Sequence, residues 1–299
     1  MPAPPDIALR AEKLTKTYRS GDADLVIFDS LDLEVRRGEM LALVGESGAG
    51  KSMLGRAVLG LLPASARIER GTIQFEGRDF LGMRERERLG LLGRRIALIP
   101  QDPMTSLNPV KRVGAQIAMV LRHHLALSRR QALERAAELL AEVAIRDPQR
   151  VLDLYPHEIS GGMRQRVLIA TAFACNPSLI IADEPTTALD VTVQRQVLQL
   201  VERLRQRHGA AILFVTHDLG VVAKLCRTIS VLHAGRVLEE GATAEVLTKP
   251  RHPYTRALLA ATPRADRPAD SLRPVPPELI ESLWAEAHRI DRLPVAERA

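Results

Sequence analysis

Gly45-Glu46-Ser47-Gly48-Ala49-Gly50-Lys51-Ser52 follows the spacing G-x-x-x-x-G-K-[ST], and those residue types in that order are suited to gripping a chain of phosphates. Glycines let the backbone curl so that successive N–H groups point at β-phosphate oxygens, and a helix starting there adds its positive end. Lys51 is placed to bridge the β- and γ-phosphates, and the Ser52 hydroxyl to hold Mg²⁺. The bland alternative is a Gly-rich turn that binds nothing. The apolar run Met40-Leu41-Ala42-Leu43-Val44 entering it, and the helical pattern from Met53 to Leu62 leaving it, argue for the cradle.

Cleaving a triphosphate needs a second acid for the metal and a group that acts on water. Asp183 closes the apolar run Leu179-Ile180-Ile181-Ala182, where a carboxylate is suited to the metal, and Glu184 beside it is placed to orient or deprotonate the attacking water. The alternative is a pair of solvated loop acids. Ile159-Ser160-Gly161-Gly162-Met163-Arg164-Gln165 puts a serine hydroxyl and glycine N–H groups at a helix start, which makes a second anion site. Read alone, it is a helix N-cap. One γ-phosphate does not need two cradles from one chain, so the economical arrangement is a dimer in which this motif closes on a partner's nucleotide. His217 follows a strand ending at Val215, at the end where ligands bind in open α/β sheets, and could donate to the γ-phosphate. Gln101 ends another strand, its amide suited to the metal or the attacking water. Tyr18 could stack on adenine; without the other motifs it reads as core.

These groups need strand ends and helix starts to position them. Ile7-Ala8-Leu9, Leu25 to Phe28 and Leu31 to Val35 read as short strands with Tyr18 in the loop between them, and Thr72 to Phe75 and Arg95 to Ile99 as further strands. From Val113 to about Ala174 the pattern is helical. Ser128 and Gln131 form a capping box there, with Leu133, Ala136, Ala137, Leu140 and Val143 on one apolar face. Leu179 to Asp183 and Ala211 to Val215 are continuous apolar runs, as parallel strands covered on both faces require, with an amphipathic helix between them over Val191 to Arg207. Strand–helix alternation with one helical insertion predicts an α/β core carrying a helical subdomain. Residues 263–277 have a Pro- and Arg-rich linker composition. Pro276-Pro277 then open a helix with Leu279, Ile280, Leu283, Trp284 and Ile290 on one stripe.

The 299 residues allow one large core or two modest domains, and 46% hydrophobic with 26% charged residues describes an ordinary globular protein. No apolar run approaches bilayer length, and the start lacks the pattern of a signal peptide. The chain is therefore expected in the cytoplasm, with any membrane role coming through a partner. Cys175 and Cys226 lack paired spacing and read as reduced, partly buried thiols. A net charge of +6 could suggest nucleic acid, but the 42 Lys and Arg residues are scattered and aromatics make up 3%. A solvated Arg-rich surface is the better reading, and no nucleic-acid partner is expected.

In this combination the chain resembles the ATP-binding subunit of an ABC transporter over roughly residues 7–262. Tyr18 is similar to the family's adenine-stacking loop, Gly45 to Ser52 to its Walker A, Gln101 to its Q-loop, and Ser160 to Gln165 to its signature. Leu179 to Asp183 resemble Walker B, Glu184 the catalytic glutamate, Ala188-Leu189-Asp190 the D-loop, and His217 the switch histidine. The resemblance implies a P-loop NTPase core with a mostly parallel sheet, an N-terminal antiparallel β part and an inserted helical subdomain. It implies an ATP-binding domain over 1–262, with the helical insertion at about 102–174, followed by a linker and short helix over 263–299. ATP and Mg²⁺ are the implied cofactors. The implied partners are a second ATP-binding subunit, identical or different, two transmembrane permease subunits and, indirectly, a solute-binding protein. The implied location is the cytoplasmic face of the bacterial inner membrane. Gln101 to Pro109 and His252 to Leu259, together with Met163 where most of the family carry glutamine, resemble the oligopeptide/dipeptide/nickel importer branch. The cargo is then a di- or oligopeptide, with nickel or another small solute as the alternative. A soluble ABC ATPase acting on nucleic acid or ribosomes is the alternative from another class. Members of this branch often carry a C-terminal cysteine segment, sometimes with an iron–sulfur cluster. No cysteine follows Cys226, so no cluster is expected, and the usual tail is expected to be shortened or replaced by the linker and the Trp284 helix.

Overall fold

Strict alternation of apolar and polar residues runs from Ser30 to Arg36. Leu31, Leu33 and Val35 are buried while Ser30, Asp32, Glu34 and Arg36 face outward, the period-two pattern of a half-buried strand. The structure, a computed structural model, describes residues 6–20, 23–62, 68–187, 189–262 and 274–291, excluding the side chains of 18–20, 23–26 and 287–291. It divides into two compact units, one of residues 1–83 and 214–299, the other of residues 84–213.

The first unit begins with two long strands, β1 (Ile7–Ser20) and β2 (Ala23–Arg36), paired antiparallel. The expected three short strands are therefore two. The register slips between Leu14 opposite Leu31 and Lys16 opposite Phe28, and Lys13 and Ser30 take positive φ values of 48° and 47°. Bulges absorb what reads in sequence as chain breaks. Tyr18, expected in a loop, lies within β1 with its Cα opposite Leu25; its side chain lies outside the described residues. After β3 (Met40–Val44) and α1 (Lys51–Val58), β4 (Arg70–Phe75) and β5 (Arg78–Asp79) complete an antiparallel sheet of order β2-β1-β4-β5.

The second unit carries α2 (Glu85–Leu91), β6 (Ile96–Ile99), α3 (Pro103–Ser106), α4 (Val113–Leu125), α5 (Arg129–Glu142), α6 (Pro148–Asp153), α7 (Gly161–Phe173), β7 (Leu179–Asp183) and α8 (Val191–His208). It also holds the start of β8 (Ala211–Val215), whose last two residues belong to the first unit. β6 and β7 run parallel, Ile96 opposite Leu179 and Ile99 opposite Ala182, and the fully buried Leu179 to Ala182 are covered on both faces. The helical run forms as the periodicity requires. At α5 the Ser128 hydroxyl accepts from the Gln131 N–H at 3.3 Å, and the Gln131 side chain accepts from the Ser128 N–H at 3.0 Å. Ala132, Ala136, Ala137, Leu139, Leu140 and Val143 are buried, and Leu133 only half so, which turns the expected face slightly.

The chain returns to the first unit with α9 (Leu219–Leu225), β9 (Thr228–His233), β10 (Arg236–Ala242), α10 (Thr243–Thr248), α11 (Pro253–Ala261) and α12 (Pro277–Asp291). β9 runs parallel to β3, β10 antiparallel to β9, and the Thr216 N–H donates to the Leu43 carbonyl at 3.1 Å. On α12 Leu283 is buried and Trp284 half-buried, while the Ile290 side chain lies outside the described residues. Both cysteines are free thiols; Cys226 is buried and Cys175 half-buried, where burial pushes its pKa up. Among the described residues no helix is long and apolar enough to cross a membrane. Removing the hydroxyl of the α5 capping box by Ser128→Ala is expected to lower unfolding free energy by about 1 kcal/mol in urea titration, without changing ATP binding.

Candidate nucleotide-binding site

β3 is buried over its whole length, which fixes where the chain leaves it at Val44 and enters the glycine-rich loop. Only glycine fits at position 45, because a Cβ there would lie 2.1 Å from the Leu232 carbonyl oxygen of β9. Gly48 and Gly50 hold the left-handed φ values of 85° and 103° that curl the loop. A Cβ on Gly48 would meet nothing within 4 Å, so the loop is open on that side. Lys51 begins α1 and folds back into the loop, its Nζ donating to the Gly45 and Glu46 carbonyls at 2.8 Å each, and it is 6% exposed. Ser52 follows on the same first turn, and Gly50 offers no side chain to cap that helix start. A held ammonium, a helix amino end and an open, curled backbone together suit a polyphosphate.

The loop has a partner far along the chain, in the stretch His252 to Leu259 that resembles the importer branch. The Glu46 N–H donates to the Tyr254 hydroxyl at 3.2 Å, and that hydroxyl donates to Glu46 Oε2 at 3.3 Å. Tyr254 is fully buried, which pushes its phenol well above the ordinary tyrosine range, so the hydroxyl keeps its proton. The His252-Pro253-Tyr254 stretch was the available signal, but nothing in its spacing points at position 46.

In the second unit the structure brings Gln101 and Glu184 together. Asp183 ends β7; Glu184, next to it, takes a φ of 43°, rare for a residue with a Cβ. The Glu184 Oε2 accepts from Gln101 Nε2 at 3.2 Å and from Thr187 Oγ1 at 2.9 Å. Gln165, fully buried on α7, donates from Nε2 to the Pro185 carbonyl at 2.7 Å and so braces the turn that carries Glu184. Thr187 and Gln165 support the site without having been singled out for it.

Ser160 caps α7, its hydroxyl accepting from the Met163 N–H at 3.3 Å. The two glycines after it differ. A Cβ on Gly162 would lie 2.9 Å from Val193 Cγ1, whereas on Gly161 it would meet nothing within 4 Å. Gly162 thus allows α7 to approach α8, while Gly161 faces open space. Asp190 caps α8, accepting from the Thr192 and Val193 N–H groups at 3.0 and 2.9 Å; Ala188 lies outside the described residues. His217 sits two residues beyond β8 in the first unit, between Thr216, bonded to Leu43, and Asp218, the cap of α9.

A lysine-bearing phosphate loop between a buried strand and a helix, with acids and amides at strand ends, defines the class: a P-loop nucleoside triphosphatase. The chain belongs to the ABC transporter family of ATP-binding proteins, whose family description, "ABC transporter", matches residues 28–187. Residues 238–284 match "Oligopeptide/dipeptide transporter, C-terminal region". That second match takes in the Pro/Arg-rich stretch and α12 as far as Trp284, which corrects the expectation that the usual tail is replaced there. The chain is 47% identical over 279 residues to the "Probable peptide ABC transporter ATP-binding protein" of Sinorhizobium fredii, covering 93% of this chain and 83% of the relative. To the oligopeptide transport ATP-binding protein of Salmonella typhimurium it is 44% identical over 275 residues, 92% of this chain and 82% of the relative. An ATP-binding cassette solved as a dimer in a post-hydrolysis state with ADP and Pi matches with a TM-score of 0.70 and 27% identity, over 79% of this chain and 98% of that one.

Because the Gly45 Cβ would strike a backbone carbonyl, Gly45→Ala is expected to abolish measurable ATP binding by the purified chain. Gly90→Ala, where a Cβ meets nothing within 4 Å, serves as the control and retains it. Titration with a fluorescent ATP analogue checks both.

Proposed function

We infer that this chain is the ATP-hydrolysing subunit of an ABC importer that drives uptake of di- or oligopeptides through membrane permease partners. The observation that carries the ATPase half is Lys51, held inside an open glycine-curled loop at a helix start. The match over 238–284 to the oligopeptide/dipeptide transporter C-terminal region supports the peptide half and favours it over nickel. A basic net charge is the one feature favouring nucleic acid, and it is weaker than that match.

In this reading the N–H groups of Gly45 to Ser52 receive the β-phosphate. Lys51 turns from the loop carbonyls to the β- and γ-phosphate oxygens, an exchange between acceptors that costs little because the ammonium stays hydrogen-bonded throughout. Ser52, Asp183 and Gln101 offer the oxygen ligands that a hard divalent cation takes, with phosphate and water completing the set. A Mg²⁺ held by these residues would supply positive charge to offset that developing on the phosphate. Glu184 holds the attacking water and accepts its proton. Its contact with Gln101 gives the two residues a common setting, so a shift of Gln101 moves the carboxylate as well. His217 donates to the γ-phosphate, and Tyr18 stacks on adenine.

Two such subunits, identical or different, sandwich ATP. Ser160, Gly161 and Gly162 of one then face the γ-phosphate held by the other, and Asp190 lies at the seam. The open space at Gly161 supports this arrangement. The subunit sits on the cytoplasmic face of the membrane against two permeases, and a solute-binding protein delivers the peptide from the other side.

Glu184→Gln keeps the shape and loses the base. ATP affinity is expected to change by less than about twofold while hydrolysis falls by about 10²–10⁴, and a closed dimer accumulates with ATP on size-exclusion chromatography. Turnover at the wild-type rate would remove Glu184 from the role. Capture of the tagged chain from its own membranes is expected to bring down two multi-spanning permeases; recovery of nucleic acid instead would overturn the transporter reading.

A further inference from the structure

The peptide unit between Gly45 and Glu46 is held at both ends. Its carbonyl, that of Gly45, accepts from Lys51 Nζ at 2.8 Å, and its N–H, that of Glu46, donates to the Tyr254 hydroxyl at 3.2 Å. The same hydroxyl also reaches the Glu46 carboxylate at 3.3 Å. One phenol thus fixes both the backbone and the side chain of the second residue of the phosphate loop.

Tyr254 is itself firmly placed. The Glu239 carboxylate accepts from the N–H groups of Arg251 and His252 at 2.8 and 3.0 Å, and His252 Nδ1 accepts from the Tyr254 N–H at 3.1 Å, which fixes the start of α11. The His233 ring lies 4.4 Å from the Tyr254 ring and 6.0 Å from that of Trp284 on α12. Among the described residues its nitrogens have no hydrogen-bond partner, although Nδ1 lies 4.0 Å from Glu46 Oε2. Burial pushes the His233 pKa down, with His252 adding to the effect, and its ring packs between Tyr254 and Trp284. Every residue in this chain of contacts from Glu239 to Trp284, His233 apart, comes from the C-terminal region that the nucleotide motifs do not explain.

The geometry points to Tyr254 as a positioning residue for the nucleotide, the element through which the C-terminal region sets the shape of the phosphate loop. The inference rests on the loop's being an ATP site and adds what holds it ready. When Lys51 leaves the Gly45 carbonyl for phosphate, one grip on that peptide unit is lost and the Tyr254 grip remains. The hydroxyl therefore matters more to the loaded loop than to the empty one, and its removal lowers affinity rather than only stability. Because the loop receives the β-phosphate, the effect falls on ATP and ADP and spares AMP.

Tyr254→Phe keeps the ring and its packing and deletes only the hydroxyl. In the full-length chain the dissociation constants for ATP and ADP are expected to rise about tenfold, the value for a buried N–H left without its partner, with AMP unchanged. In turnover, KM for ATP rises by the same factor and kcat stays within about twofold. In the wild-type protein the Glu46 amide is expected to exchange slowly with solvent with and without ATP, which needs no variant to fold. Unchanged ATP affinity in Tyr254→Phe, equal weakening of AMP, or fast exchange at Glu46 overturns the proposal. Lys51→Ala separates the two ideas. If it binds ATP as well as the wild type does, the loop is not the site and both readings fail. If it loses ATP while Tyr254→Phe does not, the loop stands and Tyr254 has only a packing role.

Discussion

A buried ammonium is the constraint on which the rest of this structure depends. Lys51 is 6% exposed, and a lysine withdrawn from water costs several kcal/mol unless acceptors surround its charge. Here the Gly45 and Glu46 carbonyls supply them, and to do so the loop must turn its carbonyls inward. That turn in turn requires glycine at 45, where the backbone passes against the Leu232 carbonyl, and left-handed glycines at 48 and 50. The buried strand β3, paired with β9, delivers the chain to that point with no freedom to shift. Sequence, strand burial and charge placement are one requirement here, and they leave a cation seated among oxygens at the start of a helix.

The second unit manages a negative charge by comparable means. Glu184 adopts a backbone conformation that costs about 1–3 kcal/mol for a residue with a Cβ. The Thr187 hydroxyl and the Gln101 amide hold its carboxylate, and Gln165 holds the following carbonyl. A relaxed extended residue at 184 would point its side chain elsewhere. The strain is tolerated because bonds around the turn, including that from the Thr187 N–H to the Glu184 carbonyl at 3.3 Å, determine its geometry. A carboxylate held this way at the end of a buried strand is positioned rather than free to wander.

Legibility varied with the range of the forces involved. The Ser128–Gln131 box, the buried run of β7 and the helical stretch from Val113 could be read because capping, burial and periodicity act within a few residues. The N-terminal strands could not be divided correctly. Bulges near Lys13 and Ser30 resemble breaks in one dimension and become continuous pairing only when the partner strand is present, which is also why Tyr18 was placed in a loop. Leu133, read as part of the apolar face, only borders it, since the neighbours that centre that face on Ala136 and Leu140 come from other helices. The two glycines of the Ser160 motif read alike in sequence, and only the position of Val193 tells them apart.

What the sequence by itself determined is the chemistry. The glycines, lysine and hydroxyl of Gly45 to Ser52, and the adjacent acids Asp183 and Glu184, are each legible because each group is assembled within a few residues of chain. Tertiary structure alone decided which distant groups stand guard over that chemistry. Tyr254 reaches Glu46 across 208 positions, and Gln101 reaches Glu184 across 83. A hydrogen bond depends on ångströms and angles, not on sequence separation. No local pattern encodes that the Tyr254 phenol arrives at Glu46 or that the Gln101 amide bonds Glu184 itself, and both are settled only when the strands and helices between them have packed.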